Sequence, residues 1–268
     1  MGRVTGRACI VTGAARGIGR AIGEALLEEG AKVCFADIDG DGVAAVAEQN
    51  SARFDAQNVT SARVDVTDRT AVRAMIDHTV ETFGRLDVKF NNAGVNKPMN
   101  FMDVDEANWN FIMGVNGLGC MIGMQEAARQ MMAQGRGPDG MAGKIVNTAS
   151  VASRQGFDNV APYCASKFAV VSLTQSGARD LARHGITVTG FAPGVVKTEM
   201  WEQVDRDLME IGASARPGQA MEEFSSSILK GRVATPPDIT GTTTFLASRE
   251  SDYMTGQIVM IDGGMTLV

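Results

Sequence analysis

A glycine-rich segment near the start of the chain, TGAARGIG at residues 12–19, limits the possible folds more than any other stretch. It follows a short apolar run at 8–11 and precedes a helical pattern at 20–29. A strand, a glycine turn and a helix in this order open a βαβ unit. Glycines let the backbone approach a pyrophosphate closely, and the helix start offers free N–H groups and a positive dipole end. We therefore expect a dinucleotide to bind here.

An acidic residue follows the second predicted strand. The apolar run at 32–36 ends in Asp37, eighteen residues after Gly19. A carboxylate at this distance reaches the adenosine ribose, where it accepts a hydrogen bond from the 2′-hydroxyl and repels a 2′-phosphate. The pattern favours NAD over NADP. Arg16 is the counter-evidence, since it could pair with a phosphate, but Asp37 carries more weight.

Strand-like and helix-like segments continue to alternate downstream. A third predicted strand, 62–66, carries Asp65, which we expect at the adenine edge with Val66 packed on the ring. A helix at 69–83 and a strand at 86–90 follow, and then the sequence NNAG. Small amide and glycine residues at a strand end suit a turn that stabilises the sheet, one that lines a cofactor, or both.

The second half of the chain carries a candidate acid/base group. A buried strand, 144–149, ends in Ser150, where open α/β sheets bind ligands. Tyr163 and Lys167 are four residues apart at the head of a helical pattern, so their side chains are neighbours. A fixed cation near a phenol lowers its pKa by about 1 to 3 units. We therefore expect Tyr163 to act as a general acid or base near neutral pH.

The remaining segments complete one predicted domain. Residues 108–134 are helical in pattern and carry Asn116, and 186–191 is a further strand. The mixed pattern at 195–231 indicates either a flap over the pocket or a well-packed appendage. A last helix and strand follow without any linker, so we expect 1–268 to form a single dinucleotide-binding catalytic domain.

Composition excludes several function classes. The chain has 268 residues, 44% of them apolar, a formal charge of −6 and a pI near 5.1, which argue against a nucleic-acid partner. It has neither a membrane-length apolar window nor a signal-peptide pattern at its start, so we expect a cytoplasmic protein. Four cysteines without paired spacing predict buried thiols and no metal site.

These motifs together resemble the short-chain dehydrogenase/reductase family over essentially the whole chain. The matching elements are TGAARGIG at 12–19, Asp37, Asp65, NNAG at 91–94, Asn116, Ser150, YCASK at 163–167, PG at 193–194 and DGG at 262–264. The resemblance implies an α/β fold, a single-domain Rossmann-type doubly wound parallel sheet of about seven strands with helices on both faces. It also implies a homotetramer.

The resemblance further implies roles for individual residues. Tyr163 would be the acid/base, Ser150 would hold the substrate oxygen, and Lys167 would bind the nicotinamide ribose. Asn116 would hold a water that links Lys167 to solvent. The implied cofactor-binding set is Gly13, Arg16, Gly17, Ile18, Gly19, Asp37, Asp65, Val66, Asn92, Ala93, Gly94, Tyr163, Lys167, Pro193, Gly194, Val196 and Thr198. The departures from the family pattern are Thr148-Ala149 before Ser150 and a longer loop at 135–143.

The segments around the acid/base pair and after residue 192 look most like those of sorbitol and galactitol dehydrogenases, with acetoin/2,3-butanediol dehydrogenases close behind. We therefore expect NAD-dependent interconversion of a polyol and a ketose. Asn96, Gln155 and Asn159 are candidate partners for the additional hydroxyl groups. An acetoin/2,3-butanediol-type dehydrogenase, an NADPH-dependent ketoreductase and a non-catalytic nucleotide sensor are the alternatives.

Overall fold

A computed structural model describes residues 2–137 and 140–267. Part of the loop predicted to be longer than usual, 135–143, lies outside these residues. The strands are β1 (Ala8–Thr12), β2 (Lys32–Asp37), β3 (Val59–Arg63), β4 (Val88–Asn91), β5 (Gly143–Thr148), β6 (Ile186–Pro193) and β7 (Ile258–Ile261). They form one sheet in the order β3-β2-β1-β4-β5-β6-β7, and every pairing is parallel.

Helices cover both faces of this sheet. They are α1 (Gly17–Glu28), α2 (Gly40–Ser51), α3 (Arg69–Phe83), α4 (Glu106–Met113), α5 (Cys120–Gln134), α6 (Ala161–Leu181), α7 (Glu199–Glu210), α8 (Gln219–Ser225) and α9 (Pro236–Ala247). One buried apolar cluster joins the sheet to α3, α5 and α6, and a second joins it to α1, α2 and α9. The predicted doubly wound parallel fold is therefore confirmed.

The strand order places a cleft at the centre of the sheet. β1 pairs with β2 on one side and with β4 on the other, so the chain winds outward in opposite directions from this point. The loops that leave the carboxyl ends of β1 and β4 separate there, which is where open α/β sheets bind ligands. Both the glycine segment and NNAG follow these two strands.

The third strand differs from its prediction. It spans Val59–Arg63 rather than 62–66, so Asp65 and Val66 lie beyond its end. The cause is its edge position, where Thr60 and Ser61 are only partly buried and break the apolar run that marks inner strands. Across the described residues, no helix is long and apolar enough to span a membrane.

Candidate active site

The four predicted catalytic residues come from three elements that meet at the carboxyl ends of β4 and β5. Asn116 lies in a π-helical segment, Gly114–Gly119, between α4 and α5. Ser150 is the second residue after β5, and Tyr163 and Lys167 lie in the first two turns of α6. Single π-helical turns inside longer helices occur frequently at functional sites.

The Ser150 hydroxyl lies close to the phenol of Tyr163, where it favours the ionised form and so acts to lower the pKa of Tyr163. Ser150 Oγ also accepts a hydrogen bond of 3.2 Å from the backbone N–H of Ala152, which fixes the hydroxyl as the cap of a short 3-10 turn. The two hydroxyl groups are therefore adjacent. A carbonyl oxygen placed between them would receive two hydrogen bonds.

Lys167 lies against the ring of Tyr163, and no hydrogen bond joins its Nζ to the phenolic oxygen. Its Nζ is 5.5 Å from the ring centroid and donates a 2.9 Å hydrogen bond to the backbone oxygen of Thr148. The side chain is buried, with a relative exposure of 4%. Burial lowers the pKa of Lys167 to about 8, since a charged amine is costly away from water.

The prediction that Lys167 lowers the pKa of Tyr163 is wrong for this structure, because the effect of burial is larger. Burial raises the pKa of the phenol above its ordinary value, although the Ser150 hydroxyl opposes the rise. The residue is half-buried as a whole, but it packs in a small cluster with Phe157, Val160 and Cys164. The phenol thus holds its proton at neutral pH, which suits a proton donor to a carbonyl oxygen.

Asn116 fixes the position of neighbouring backbone. Its Oδ1 accepts a 2.8 Å hydrogen bond from the N–H of Val95, and its Nδ2 donates to the oxygen of Val95 at 2.9 Å and to Ser166 Oγ at 3.0 Å. Ser166 Oγ in turn donates to the backbone oxygen of Tyr163 at 2.7 Å. Asn116 therefore ties α6 to the loop after β4. That it also holds a water stays a prediction.

The glycine segment forms a cradle that fits a pyrophosphate. Gly13 and Gly17 have φ angles of +67° and +56°, and a Cβ added to Gly13 would lie 2.9 Å from the Cα of Ala93. No side chain caps the start of α1, and its first turn has no acidic residue. Free N–H groups at this helix start can therefore face an anion.

Asp37 supports the same loop from the end of β2. One carboxylate oxygen accepts a 3.0 Å hydrogen bond from the N–H of Ala15, and the other accepts a 3.1 Å hydrogen bond from the N–H of Asp39. Each oxygen retains a further lone pair, so the carboxylate can also accept from a ribose hydroxyl. Arg16, the competing residue, is exposed at the start of α1.

The NNAG turn is held against the glycine segment by Thr12 and Asn92. Thr12 Oγ1 accepts hydrogen bonds from the N–H groups of Asn92 at 3.1 Å and Ala93 at 3.2 Å. Asn92 Nδ2 donates to the oxygen of Thr12 at 2.9 Å. A Cβ on Gly94 would lie 3.3 Å from Asn116 Oδ1 and 3.6 Å from Lys167 Nζ, so a larger residue would crowd the catalytic groups.

Of the remaining predicted cofactor residues, those after β6 lie next to the glycine segment, whereas Asp65 is an exposed residue beyond β3. Gly17 lies beside the Thr198 side chain, since a Cβ there would be 3.5 Å from Thr198 Cγ2. The segment that contains Pro193, Gly194, Val196 and Thr198 therefore borders the cradle. Asp65, in contrast, is exposed, and its carboxylate accepts hydrogen bonds only from Thr67 among the described residues.

A pocket of about 80 Å³ opens next to Ser150 and Tyr163. Most of its other lining side chains are apolar: Val151, Ala152, Phe157, Val160, Val195, Met200, Trp201, Val204, Leu208, Phe224 and Met265. Residues from α7 and α8 form one wall, and whether 195–231 acts as a flap or as a well-packed appendage stays a prediction. The rings of Phe157 and Phe224 have centroids 5.5 Å apart, as do those of Trp201 and Phe224, so this wall packs on the loop before α6.

The three predicted substrate residues are placed differently from one another. Asn96 lines the pocket, and its Oδ1 is buried without a hydrogen-bond partner. Gln155 is exposed, and it is not part of the pocket lining. Asn159 is also outside the lining; it has a φ of +61°, and its backbone oxygen accepts a 2.8 Å hydrogen bond from the N–H of Met99.

Sequence reasoning missed several residues of this site. Ser166 and Thr12 were not selected, although a hydroxyl residue inside YCASK and one at the end of β1 were visible signals. Several apolar pocket residues lie in the segment 195–231 that was predicted as a flap or an appendage, whereas Val151, Ala152, Val160 and Met265 were not selected. Among the described residues, all four cysteines are free and buried, and no group of three or more metal-binding side chains is present.

Comparison with known proteins agrees with this geometry. The model of a family described as "Enoyl-(Acyl carrier protein) reductase" matches residues 13–266. The chain belongs to the short-chain dehydrogenase/reductase family. The L-2,3-butanediol dehydrogenase of Corynebacterium glutamicum is 39% identical over 260 residues, covering 97% of this chain and 98% of the relative. The sorbitol dehydrogenase of Cereibacter sphaeroides is 36% identical over 262 residues, covering 98% of each chain.

Solved structures of the same short-chain dehydrogenase/reductase family superpose closely. A gluconate 5-dehydrogenase from Burkholderia cenocepacia J2315, in complex with NADP and tartrate, has a TM-score of 0.85 and 32% identity. The match covers 98% of this chain and 96% of the gluconate 5-dehydrogenase chain. These comparisons support an oxidoreductase that uses a nicotinamide cofactor. NAD and NADP are both candidates for that cofactor.

Proposed function

We propose that this protein is an NAD-dependent dehydrogenase that interconverts a small secondary alcohol and its ketone, with acetoin and 2,3-butanediol as the substrate type. The observation that carries the proposal is the apolar lining of the pocket beside Ser150 and Tyr163. Its volume of about 80 Å³ beside the two hydroxyl groups suits a small substrate. A four-carbon hydroxyketone fits this size.

The same lining disfavours the polyol reading that the sequence suggested first. A hexitol has twice as many non-hydrogen atoms as acetoin and carries a hydroxyl on every carbon. Each hydroxyl buried against Trp201, Phe224 or Leu208 without a hydrogen bond costs about 1 to 3 kcal/mol. Several such losses exceed what a small pocket recovers from apolar contact.

The catalytic residues support a proton transfer at the substrate oxygen. The bound coenzyme supplies or accepts the hydride. In ketone reduction, the Tyr163 hydroxyl gives its proton to the oxygen as negative charge develops there, and Ser150 donates a second hydrogen bond to the same atom. In alcohol oxidation the proton returns to Tyr163. Lys167 and Asn116 hold the surrounding backbone and side chains in position.

Asp37 supports the choice of NAD. Its carboxylate lies at the end of β2 and is fixed by two backbone N–H groups, so it faces the cradle in one orientation. A 2′-phosphate would meet this negative charge, whereas a 2′-hydroxyl would donate to it. Within residues 2–137 and 140–267, Arg16 forms no ion pair, and its exposed side chain is not held toward the position of a 2′-phosphate.

We also propose a homotetramer. Four large apolar side chains on α4, the π-helical segment and α6 are between 44% and 48% exposed: Trp109, Phe111, Leu118 and Phe168. Such a group of apolar side chains is typical of a subunit interface. Light scattering on the purified protein should give about four times the chain mass of 28.3 kDa.

A substrate panel tests the proposed activity. Reduction of acetoin and diacetyl with NADH is compared with reduction of fructose and tagatose, and the reverse reactions are compared for 2,3-butanediol, sorbitol and galactitol. We expect kcat/KM for the four-carbon compounds to exceed that for the hexoses and hexitols by about 100-fold or more. A preference for the six-carbon compounds would replace this proposal with the polyol reading.

A further inference from the structure

The turn that follows β7 contributes a methionine to the substrate pocket. β7 ends at Ile261, and Met265 lines the pocket beside Ser150 and Tyr163. A methionine side chain has three rotatable bonds and adapts to the space around it. Met265 can therefore form a defined wall of the pocket only if the backbone that carries it is fixed.

Asp262 fixes this backbone on both sides of Met265. Asp262 is buried, and one oxygen of its carboxylate accepts a 3.0 Å hydrogen bond from the N–H of Gly264. The other oxygen accepts a 2.8 Å hydrogen bond from the N–H of Thr266. Hydrogen bonds to a carboxylate are stronger than those between neutral groups. The Asp262 side chain thus holds the residue immediately before Met265 and the residue immediately after it.

The turn is also anchored to the two segments that flank it. The N–H of Gly194, which follows β6 and lines the pocket, donates to the oxygen of Ile261 at 3.0 Å. A Cβ on Gly194 would lie 2.9 Å from the Cα of Asp262, so these two residues pack directly against each other. On the other side of the turn, the N–H of Lys230 donates to the oxygen of Gly263 at 3.0 Å. Asp262 therefore connects the turn to the pocket wall that the segment after β6 supplies.

We propose that Asp262 is a positioning residue for the substrate pocket: it fixes the turn that carries Met265, and Met265 limits the length of the group that a ketone carries beside its reacting carbon. The inference rests on the proposed function, because it assumes a ketone oxygen at Ser150 and Tyr163. Asp262 acts through Met265 and touches no reacting atom. Loss of its carboxylate changes the selectivity for substrate size rather than the chemical step.

A fixed wall and a mobile wall treat longer substrates differently. In a pocket whose wall does not move, one additional methylene lowers kcat/KM by about 10-fold or more. A methionine on a released turn can move aside and admit the longer chain. The selectivity between ketones of different length therefore reports whether Met265 is held in place.

The test measures kcat/KM for reduction with NADH over a series of 2,3-diketones: diacetyl, 2,3-pentanedione and 2,3-hexanedione. Wild-type protein is compared with Met265→Ala, Asp262→Ala and the double variant. Asp262→Asn, which keeps one acceptor oxygen, is the milder variant should Asp262→Ala not fold. Asp68→Ala is the matched control, because the Asp68 carboxylate also accepts from two backbone N–H groups, at the start of α3, and Asp68 is not among the described residues that line the pocket.

The expected result is a shared change in selectivity. We expect wild type to prefer diacetyl to 2,3-hexanedione by about 100-fold, and Met265→Ala and Asp262→Ala each to reduce that preference by about 10-fold. Asp262→Asn should reduce it by a smaller factor. The double variant should match Met265→Ala within about 2-fold, because two residues that act through one contact do not have additive effects. Asp68→Ala should keep the wild-type preference.

The outcomes separate this inference from the proposed function. An unchanged preference in Met265→Ala would refute the size limit, and an unchanged preference in both Asp262 variants would refute the positioning role. Equal loss of turnover for all three diketones in the Asp262 variants would show a structural role and would also refute it. The ketone reductase stands in each of these cases. Wild type that prefers 2,3-hexanedione would refute the size limit, and absence of turnover with every ketone would refute both proposals.

Discussion

Nζ of Lys167 lies 5.5 Å from the centroid of the Tyr163 ring and donates a hydrogen bond to the backbone oxygen of Thr148, and no hydrogen bond joins it to the phenolic oxygen. Burial then governs both groups. It raises the pKa of Tyr163 and lowers that of Lys167 to about 8. Without a bound coenzyme, the phenol of Tyr163 is therefore neutral near pH 7, and the amine of Lys167 loses its proton at a lower pH than an ordinary lysine.

The tyrosine titration can be measured directly, because the chain has two tyrosines and the other one, Tyr253, is fully exposed. In a Tyr253→Phe variant without added coenzyme, the near-ultraviolet phenolate absorbance reports Tyr163 alone. We expect it to titrate above the ordinary value of about 10, since burial favours the neutral form. Titration below that value would show that the cation dominates after all. Circular dichroism at each pH confirms that the fold persists.

Cofactor preference should follow the charge of Asp37. Asp37→Asn keeps an oxygen that can accept from Ala15 but removes the repulsion of a 2′-phosphate. We expect the ratio of kcat/KM for NADH to that for NADPH to fall by about 10- to 100-fold. Asp41→Asn, an exposed acid in the first turn of α2, is the control. An unchanged ratio, or a wild type that prefers NADPH, would remove Asp37 from this role.

A buried lysine offers a stability prediction. Lys89 on β4 is 1% exposed, and its Nζ donates to the oxygen of Phe90 at 3.1 Å. Burial lowers the pKa of Lys89 to about 7, whereas an unfolded lysine titrates near 10.5. The unfolded state therefore binds more protons between these values, and the burial penalty is complete below pH 7 and relieved as pH rises toward 10.

Lys89→Met should accordingly raise the free energy of unfolding by about 2 to 4 kcal/mol at pH 6, because it removes a buried charge and keeps the volume. The gain over wild type should shrink as pH rises from 7 toward 10. Urea unfolding at several pH values measures it, with the exposed Lys97→Met as control. A gain that is absent, or that does not depend on pH, would contradict the assignment of a destabilising charge.

The aromatic contact between α8 and the loop before α6 should affect substrate binding selectively. Phe224→Ala removes the ring that packs on both Phe157 and Trp201. We expect KM for the ketone to rise about 10-fold, with the dissociation constant of NADH changed less than about 3-fold. Leu229→Ala, exposed in the same segment, is the control. Equal loss of ketone and NADH binding would indicate general unfolding of the site instead.

Local signals predicted the cofactor cradle and much of the fold. The helix at 69–83 was predicted with the bounds that the structure shows, because Asp68 caps its start and Gly84, at φ +87°, ends it. The glycine segment and Asp37 were correctly placed at strand ends, because each lies immediately beside an apolar run. Periodicity, caps and turns are short-range properties that a sequence displays openly.

Contacts between residues far apart in the chain could not be predicted from these local signals. The spacing of Tyr163 and Lys167 showed that they are neighbours, but not that the ammonium bonds to the backbone oxygen of Thr148 or that the ring packs in an apolar cluster. The pocket walls come from loops and helices far apart in the chain, so the sequence did not show which apolar side chains would converge on Ser150 and Tyr163. β3 was misplaced because polar residues are tolerated at a sheet edge.

Replacement of Tyr163 by phenylalanine tests the central claim, that this phenol transfers the proton to and from the substrate oxygen. We expect Tyr163→Phe to lower kcat/KM for acetoin reduction by about 1,000-fold or more, and to change the NADH dissociation constant, measured by fluorescence, less than about 3-fold. Turnover of the variant within about 10-fold of wild type, with NADH still bound, would contradict the account.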